Sequence, residues 1–270
     1  MAPTSRTLFL TAFAALTCAS IFPQQQLLQQ AQARSLRPTP YSSSTASLFA
    51  ASTGGSPGNT RKYHRAPCPC LNTLANHGYF PRDGKNISVK LVKSVLVEVF
   101  NVHPSLVDML ISPLPPVFSL AELGKHNFLE HDASLVHDDA YFGRDPSLVN
   151  TTLADELFAR AGKDQVLTKR ILAHYRADRE RECKKDDPEY SLSLKLQTTT
   201  YAEAAVLLLV MGDYESETIS VEAARSFLVH EKIPDGFKKS NTAITTTTAL
   251  YLAAQIKFLA SLPWLVAETE

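Results

Sequence analysis

The sequence lacks the features that would hold it on a nucleic acid or in a membrane. Its 27 basic and 27 acidic residues cancel to a net charge of zero, so it has no strong positive field to attract nucleic acids. After residue 20, no hydrophobic run approaches the roughly 20 residues that a transmembrane helix needs. We therefore expect no nucleic acid as a partner, and no membrane once the N-terminal segment is removed.

The N-terminal segment has the pattern of a secretory signal peptide. Residues 1–20 contain Arg6, an apolar run over residues 8–17 and small residues at 18–20. The apolar run is shorter than a membrane-spanning helix, which favours a signal peptide over a membrane anchor. We therefore expect a secreted, extracellular protein.

The next 40 positions have the composition of a disordered segment. Residues 21–60 are rich in Gln, Ser, Thr, Ala, Pro and Gly, and show no hydrophobic periodicity. They predict a propeptide or a disordered arm. Residues 61–270 are of a length that suits a single domain.

Cysteine is scarce. Of the four cysteines, Cys18 lies in the expected signal peptide, which leaves Cys68, Cys70 and Cys183. An odd number in a secreted protein leaves at least one thiol outside intrachain disulfides. The cysteines alone leave three alternatives open: a disulfide between Cys70 and Cys183, a homodimer linked through Cys183, and a cysteine that binds a metal or a haem.

Alternating strand patterns and internal repeats are also missing, and helical periodicity dominates. The sequence predicts an all-α domain with little or no strand, in which a hairpin at residues 191–196 is a weak alternative. The interleaved charges of residues 169–185 suggest a solvated helix face. Caps, prolines and glycines place the predicted helices at residues 71–76, 88–100, 104–111, 150–160, 164–183, 200–211, 220–230 and 247–262, with a short ambiguous element at 120–124.

Cys68 has the most specific surroundings in the chain. It lies between Pro67 and Pro69, directly before a predicted short helix. Proline lacks an N–H group and fixes φ, so the thiol lies on a stiff segment outside any helix or sheet ladder. Unpaired N–H groups at a helix N-terminus favour the thiolate. Such a thiolate can be a nucleophile, a metal ligand or a haem ligand.

Three segments resemble the secreted fungal haem-thiolate peroxidases, the family of chloroperoxidase and the unspecific peroxygenases. The first is Pro67-Cys68-Pro69 with its continuation at residues 71–79 and 83–88. The second is the run at residues 130–134, Glu-His-Asp-Ala-Ser. The third is Glu203 within the apolar residues 201–207. The resemblance covers residues 60–265.

The resemblance implies a haem b whose iron is bound by Cys68. A thiolate ligand donates electron density to iron and favours cleavage of the O–O bond of a peroxide. Glu203 would be the acid–base that moves a proton between the two peroxide oxygens, and its apolar segment would raise its pKa. His131 would hydrogen-bond Glu203, and Asp132 would support His131.

The resemblance also implies a divalent cation beside a haem propionate. Glu130, Ser134 and the backbone carbonyl of His131 would bind it, and such hard oxygen ligands suit Mg²⁺ or Mn²⁺. A polar surface turn would also explain the run. A second acidic cluster follows at residues 137–139, but the serine three positions after His131 favours the first.

Pocket residues are expected on the helix face that carries Glu203. Thr199, Thr200 and Leu207 lie four before, three before and four after it, and Phe128 precedes Glu130. Aromatic or aliphatic walls would select apolar substrates. Ordinary core packing explains each of these residues equally well.

Two sequons predict N-glycosylation of a secreted chain, at Asn86 and Asn150. Because Asn150 lies at a polar helix start, it is the stronger candidate.

Taken with the resemblance, the sequence predicts a secreted haem-thiolate peroxygenase that uses hydrogen peroxide to oxygenate small apolar or aromatic substrates. A chloroperoxidase that forms hypohalous acid is the alternative enzyme, because both would use a carboxylate with an adjacent histidine. A haem-free, secreted helical binding protein with paired cysteines is the alternative from another class.

Overall fold

The computed structural model describes residues 58–263. The predicted signal peptide and nearly all of the predicted arm lie outside these residues, so both stay predictions. Among the helices of the described part, none combines the length and apolar character that crossing a membrane requires.

Helices dominate the described residues. Four short strands form two antiparallel pairs, β1 (Ile87–Ser88) with β2 (Val117–Phe118) and β3 (Val166–Thr168) with β4 (Thr218–Ser220). The prediction of a mainly helical domain is confirmed. The helices are α1 (Pro69–Asn76), α2 (Val89–Phe100), α3 (Pro104–Ile111), α4 (Thr151–Ala159), α5 (Lys169–Asp186), α6 (Leu194–Met211), α7 (Val221–Leu228) and α8 (Thr246–Ala260).

Side-chain caps explain where most of these helices begin. A side-chain oxygen that precedes the helix accepts a hydrogen bond from the backbone of its first turn, and α1 and α3 begin with proline instead. The hairpin predicted at residues 191–196 is wrong, because Ser193 caps α6 there. The oxygen caps are those of Ser88, Asn150, Thr168, Ser193, Ser220 and Thr245.

Helix α5 departs from its prediction in both start and surroundings. It begins at Lys169 rather than at 164, because β3 comes first and Thr168 forms the cap. It is also not simply a solvated helix: Arg176 is only 2% exposed and Arg179 is buried. Arg176 donates to the carbonyl of Ala133, and Arg179 Nε donates to the carbonyl of Ser134 at 3.2 Å. Helix α5 therefore holds the loop that carries the candidate site.

The core places α6 at the centre of the helical packing. Helix α8 packs against α5 and α6, while α7 packs against α1 and α4. Ala204, Ala205 and Leu208 of α6 are fully buried. Burying a leucine side chain contributes about 1.5–3 kcal/mol, so α6 is a firmly held platform for the residues it carries.

Gly84 is needed where the chain enters β1. Its φ is +71°, and a Cβ there would lie 2.1 Å from the carbonyl oxygen of His64. We expect Gly84→Ala to destabilise the fold by more than the roughly 1–2 kcal/mol that a left-handed conformation costs an L-residue. Gly162→Ala is the matched control, since Gly162 has φ +58° and no other atom lies within 4 Å of the position that a Cβ would take there. Urea unfolding would measure both, and equal losses would refute the predicted backbone overlap.

The two sequons differ in the freedom of their side chains. The Nδ2 group of Asn150, to which a glycan would be attached, donates to Asp138 Oδ1 at 2.7 Å, and its Oδ1 caps α4. Asn86 is exposed. The structure therefore favours Asn86 and reverses the preference drawn from sequence, while glycosylation itself stays a prediction.

Candidate functional site

Cys68 lies at the N-cap position of α1. Its backbone is extended (φ −140°, ψ 101°), and Pro69 begins the helix. The three described cysteines are all free, with Cys68 and Cys70 partly exposed, so a disulfide between Cys70 and Cys183 is not found. Cys183 is only 3% exposed, which argues against the alternative of a homodimer linked through it.

The environment of the Cys68 thiol does not favour its ionisation. Its pKa is raised to about 11, mainly by burial and also by the charges of Glu203 and Glu231, while hydrogen bonds from the N–H groups of Leu71 and Cys70 act in the opposite direction. The helix N-terminus thus acts in the expected direction, but burial and charge outweigh it. The thiol is therefore protonated at neutral pH, and a bound metal ion would deprotonate it by its own charge.

Glu203 is the accessible acidic group of α6. Over residues 200–211 it is the single exposed residue, and 47% of its side chain is accessible. His131 lies against it with a side chain that is only 4% exposed, and His131 Nε2 is 3.1 Å from Glu203 Oε2. His131 Nδ1 is 2.8 Å from the carbonyl of Asp132. Because that carbonyl can only accept, Nδ1 carries a proton and Nε2 faces the carboxylate.

Charges around the pair stabilise its ionised form. Burial alone would raise the pKa of Glu203, but His131, Arg176 and His137 outweigh it, so the pKa lies below its usual range. Burial would likewise lower the pKa of His131, and the charge and hydrogen bond of Glu203 raise it. The pKa shift expected for Glu203 from its apolar segment is therefore wrong in direction.

The ion pair between His131 and Glu203 makes the stability of the folded state depend on pH. Because the pKa of His131 is raised, the ion pair contributes its full stabilisation below the ordinary histidine pKa. That stabilisation is lost as pH rises through the raised pKa. We expect His131 to titrate above 6.5 in an NMR titration, with the resonance assigned by His131→Gln. Glu203→Gln should lower that pKa. An unchanged His131 titration in Glu203→Gln would refute the ion pair.

Glu130 and Ser134 provide oxygen atoms of the kind that bind hard cations. Glu130 is buried, its Oε2 accepts from His126 Nδ1 at 2.7 Å, and its Oε1 has no hydrogen-bond partner among the described residues. The hydroxyl of Ser134 donates to the carbonyl of His131 at 3.2 Å. A buried carboxylate oxygen without a partner is unfavourable, so this donor set fits a hard divalent cation.

An acidic cluster extends this region. Carboxylate oxygens of Asp132, Asp139 and Asp187 lie within 4.8 Å of one another, and all three side chains are buried. Asp132 Oδ2 accepts from the backbone of Ser191 at 2.8 Å, which fixes the loop to the start of the α6 segment. The two acidic runs that sequence presents as alternatives are therefore neighbours, since Asp139 belongs to the second run. A cavity of about 380 Å³ opens here, lined by His126, Asp132, Ala140, Tyr141, Asp187 and Glu189.

Two residues near Glu203 cannot be recognised as site residues from the sequence. Arg176 lies in the run of interleaved charges that suggests a solvated helix, and His137 lies in the second acidic run. His137 is buried, and burial together with the charge of His131 lowers its pKa to about 4. The signal for Arg176 would have been its place on the same helix face as Leu172, which is also buried.

The expected pocket residues divide into two groups. Phe128 is partly exposed, and Thr199 is also accessible and donates to the carbonyl of Lys195 at 3.1 Å. Thr200 and Leu207 are buried. All four stay predictions as pocket residues.

The chemistry of Cys68 and Glu203 fits a haem-thiolate site. Cys68 is a free, partly exposed thiol. Glu203, although distant in sequence, lies near enough for its charge to act on that thiol, and it keeps an accessible carboxylate. A thiol ligand and a nearby acid–base are the side chains that such a site requires.

Comparison with known proteins assigns the chain to a family. The family model "Peroxidase, family 2" matches residues 55–242. An aromatic peroxygenase of Cyclocybe aegerita is 31% identical over 203 residues, covering 64% of this chain and 54% of the relative. An aromatic peroxygenase of Coprinellus radians is 28% identical over 217 residues, covering 68% and 82%. A chloroperoxidase of Leptoxyphium fumago is 42% identical over 45 residues, covering 17% and 12%.

The match thus spans about half the length of the Cyclocybe relative and most of the Coprinellus one. The family match takes in Cys68, the loop at residues 130–134 and Glu203. This chain belongs to peroxidase family 2, the fungal haem-thiolate peroxidases.

Proposed function

We propose that this protein is a secreted haem-thiolate peroxygenase that uses hydrogen peroxide to oxygenate apolar or aromatic organic molecules. The observation that carries the proposal is a free Cys68 thiol that lies within electrostatic reach of the accessible Glu203 carboxylate, which is itself bonded to His131. Membership of the family and the aromatic peroxygenases among the relatives support it.

Cys68 would hold haem b by its iron. When bound, haem supplies an iron that accepts peroxide, and a thiolate ligand favours O–O cleavage. Pro67 and Pro69 restrict the backbone on both sides of the sulfur. The sulfur would therefore be held in a preformed position when it binds the metal.

Glu203 would move the proton that peroxide cleavage requires. Its lowered pKa keeps it ionised at neutral pH, so it first accepts a proton from one peroxide oxygen and then donates it to the other. His131 orients the carboxylate through the 3.1 Å contact. The backbone carbonyl of Asp132 fixes the His131 ring in turn.

Glu130, Ser134 and the carbonyl of His131 would bind Mg²⁺ or Mn²⁺ beside a haem propionate. The unpartnered Oε1 of Glu130 supports this assignment. A cation there would also neutralise part of the charge of the buried carboxylates.

The absorbance spectrum of the purified, reduced protein under carbon monoxide tests the proposal. We expect a strongly red-shifted Soret band, which reports thiolate-bound haem. A well-folded, haem-supplied preparation without a Soret band would support the haem-free binding protein instead. A Soret band without the shift would remove Cys68 as the ligand.

A chloroperoxidase remains the second candidate because of the short, 42% identical match to such an enzyme. Parallel assays with hydrogen peroxide separate the two, one with an aromatic hydrocarbon and one with chloride and a chlorine acceptor. We expect oxygenation of the hydrocarbon to be faster. Chlorination without oxygenation would favour the second candidate.

A further inference from the structure

A buried carboxylate contacts the helix that begins next to Cys68. Glu231 is 0% exposed and has a left-handed backbone, with φ +47°. Its Oε1 accepts from Asn72 Nδ2 at 2.6 Å, and its main-chain carbonyl accepts from Asn76 Nδ2 at 3.1 Å. A buried charge and a non-glycine residue at positive φ are both unfavourable, so the surrounding structure has to maintain this arrangement.

Asn72 connects this carboxylate to the Cys68 segment. Asn72 Oδ1 accepts from the N–H of Ala66 at 2.9 Å, and Asn72 Nδ2 donates to the carbonyl of Ala66 at 2.7 Å. One buried amide therefore holds both polar groups of Ala66 and also bonds Glu231. Ala66 is separated from Cys68 only by Pro67, whose φ is fixed. The position of Glu231 is thus transmitted to the thiol through few rotatable bonds.

Asn76 joins Glu231 to a second group that lies next to Ala66. Asn76 Nδ2 donates to the main-chain carbonyl of Glu231, and Asn76 Oδ1 accepts from the buried guanidinium of Arg65 at 2.7 Å. Two side chains of α1 therefore connect Glu231 to residues 65 and 66, which lead directly into Pro67 and Cys68.

We propose that Glu231 is a positioning residue for Cys68, which holds Asn72 and through it fixes the backbone segment that carries the thiol. The importance of this position for haem ligation rests on the proposed haem-thiolate function. The hydrogen bonds that fix the segment are present in the chain without haem.

The first test uses the full chain with haem. The wild-type carbon monoxide spectrum is recorded first, because a missing red shift there defeats the proposed function itself. Glu231→Ala removes the oxygen that accepts from Asn72, and Glu231→Gln keeps one. We expect a mixed spectrum for Glu231→Ala, in which part of the protein has lost the red-shifted band, and a wild-type spectrum for Glu231→Gln. Glu222→Ala on the exposed face of α7 is the matched control, with an expected wild-type spectrum. A wild-type spectrum for Glu231→Ala overturns the proposal.

A second readout does not depend on haem. The N–H of Ala66 is bonded to Asn72 Oδ1, so in the haem-free protein it should exchange with deuterium faster in Glu231→Ala than in wild type, as NMR would measure. Equal exchange rates overturn the positioning role, even if the wild type binds no haem.

Asn72→Ser tests the same link from its other end, and it carries the test if Glu231→Ala does not fold. This variant keeps Glu231 and removes the amide that bonds Ala66. We expect a mixed carbon monoxide spectrum in which part of the protein has lost thiolate ligation. A spectrum identical to that of the wild type overturns the positioning role.

Discussion

Cys68→Ala is expected to abolish the red-shifted carbon monoxide spectrum completely. It removes the thiol that lies at the N-cap of α1 between two prolines, and the alanine that replaces it has no atom that can bind iron. Cys70→Ala is the matched control, because Cys70 is also free and partly exposed but lies within the helix. The control should keep the spectrum. Absorbance of the reduced, carbon monoxide-treated variants measures both.

The reverse result in these two variants would identify Cys70 as the iron ligand. Loss of the band in Cys70→Ala with retention in Cys68→Ala would show that the prolines do not mark the ligand. Loss in both variants has to be compared with their circular dichroism, since an unfolded variant reports on stability rather than on ligation.

Glu203→Gln is expected to slow peroxide activation by about 10²–10⁴-fold, the usual contribution of a positioned acid–base, and to leave haem bound. Glutamine keeps the shape of the side chain but cannot carry the proton. Stopped-flow absorbance after mixing with hydrogen peroxide measures the rate. Glu203→Asp keeps a carboxylate and should therefore retain part of the wild-type rate.

The pH dependence of this rate follows from the lowered pKa of Glu203. The carboxylate must be ionised to accept a proton, so the rate should stay high below pH 7 and fall only as pH drops through a pKa below 4.5. The acidic limb should disappear in Glu203→Gln. An undiminished rate in that variant would show that another carboxylate moves the proton.

The helices could be predicted because their signals are local in sequence. The short strands and some site contacts could not, because they depend on residues far apart in the chain. Caps such as Ser88 and Asn150 lie next to the residues that they organise, so helix starts could be read directly. The β3–β4 pair joins three-residue segments that are distant in sequence and carry almost no periodic pattern. Such short strands are specified by their partners rather than by their own residues.

The candidate site shows the same division. Cys68 and the run around His131 could be selected because their motifs are local. The direction of the Glu203 pKa shift was harder to predict, because burial is outweighed only by His131, Arg176 and His137 together, and the last two reach Glu203 only in the folded chain. The contact of Glu231 with Asn72 was equally inaccessible, since the two residues are 159 positions apart.

Arg176 and Arg179 make the stability of the site depend on one helix, α5. Residues 133 and 134 belong to no helix or strand, and buried guanidinium groups of α5 hold their carbonyls. Segments joined in this way open together as one cooperative unit. Heat or denaturant that frays the part of α5 around these arginines would therefore release His131 and its neighbours with it. The lifetime of the site would then be set by the local stability of this one helix.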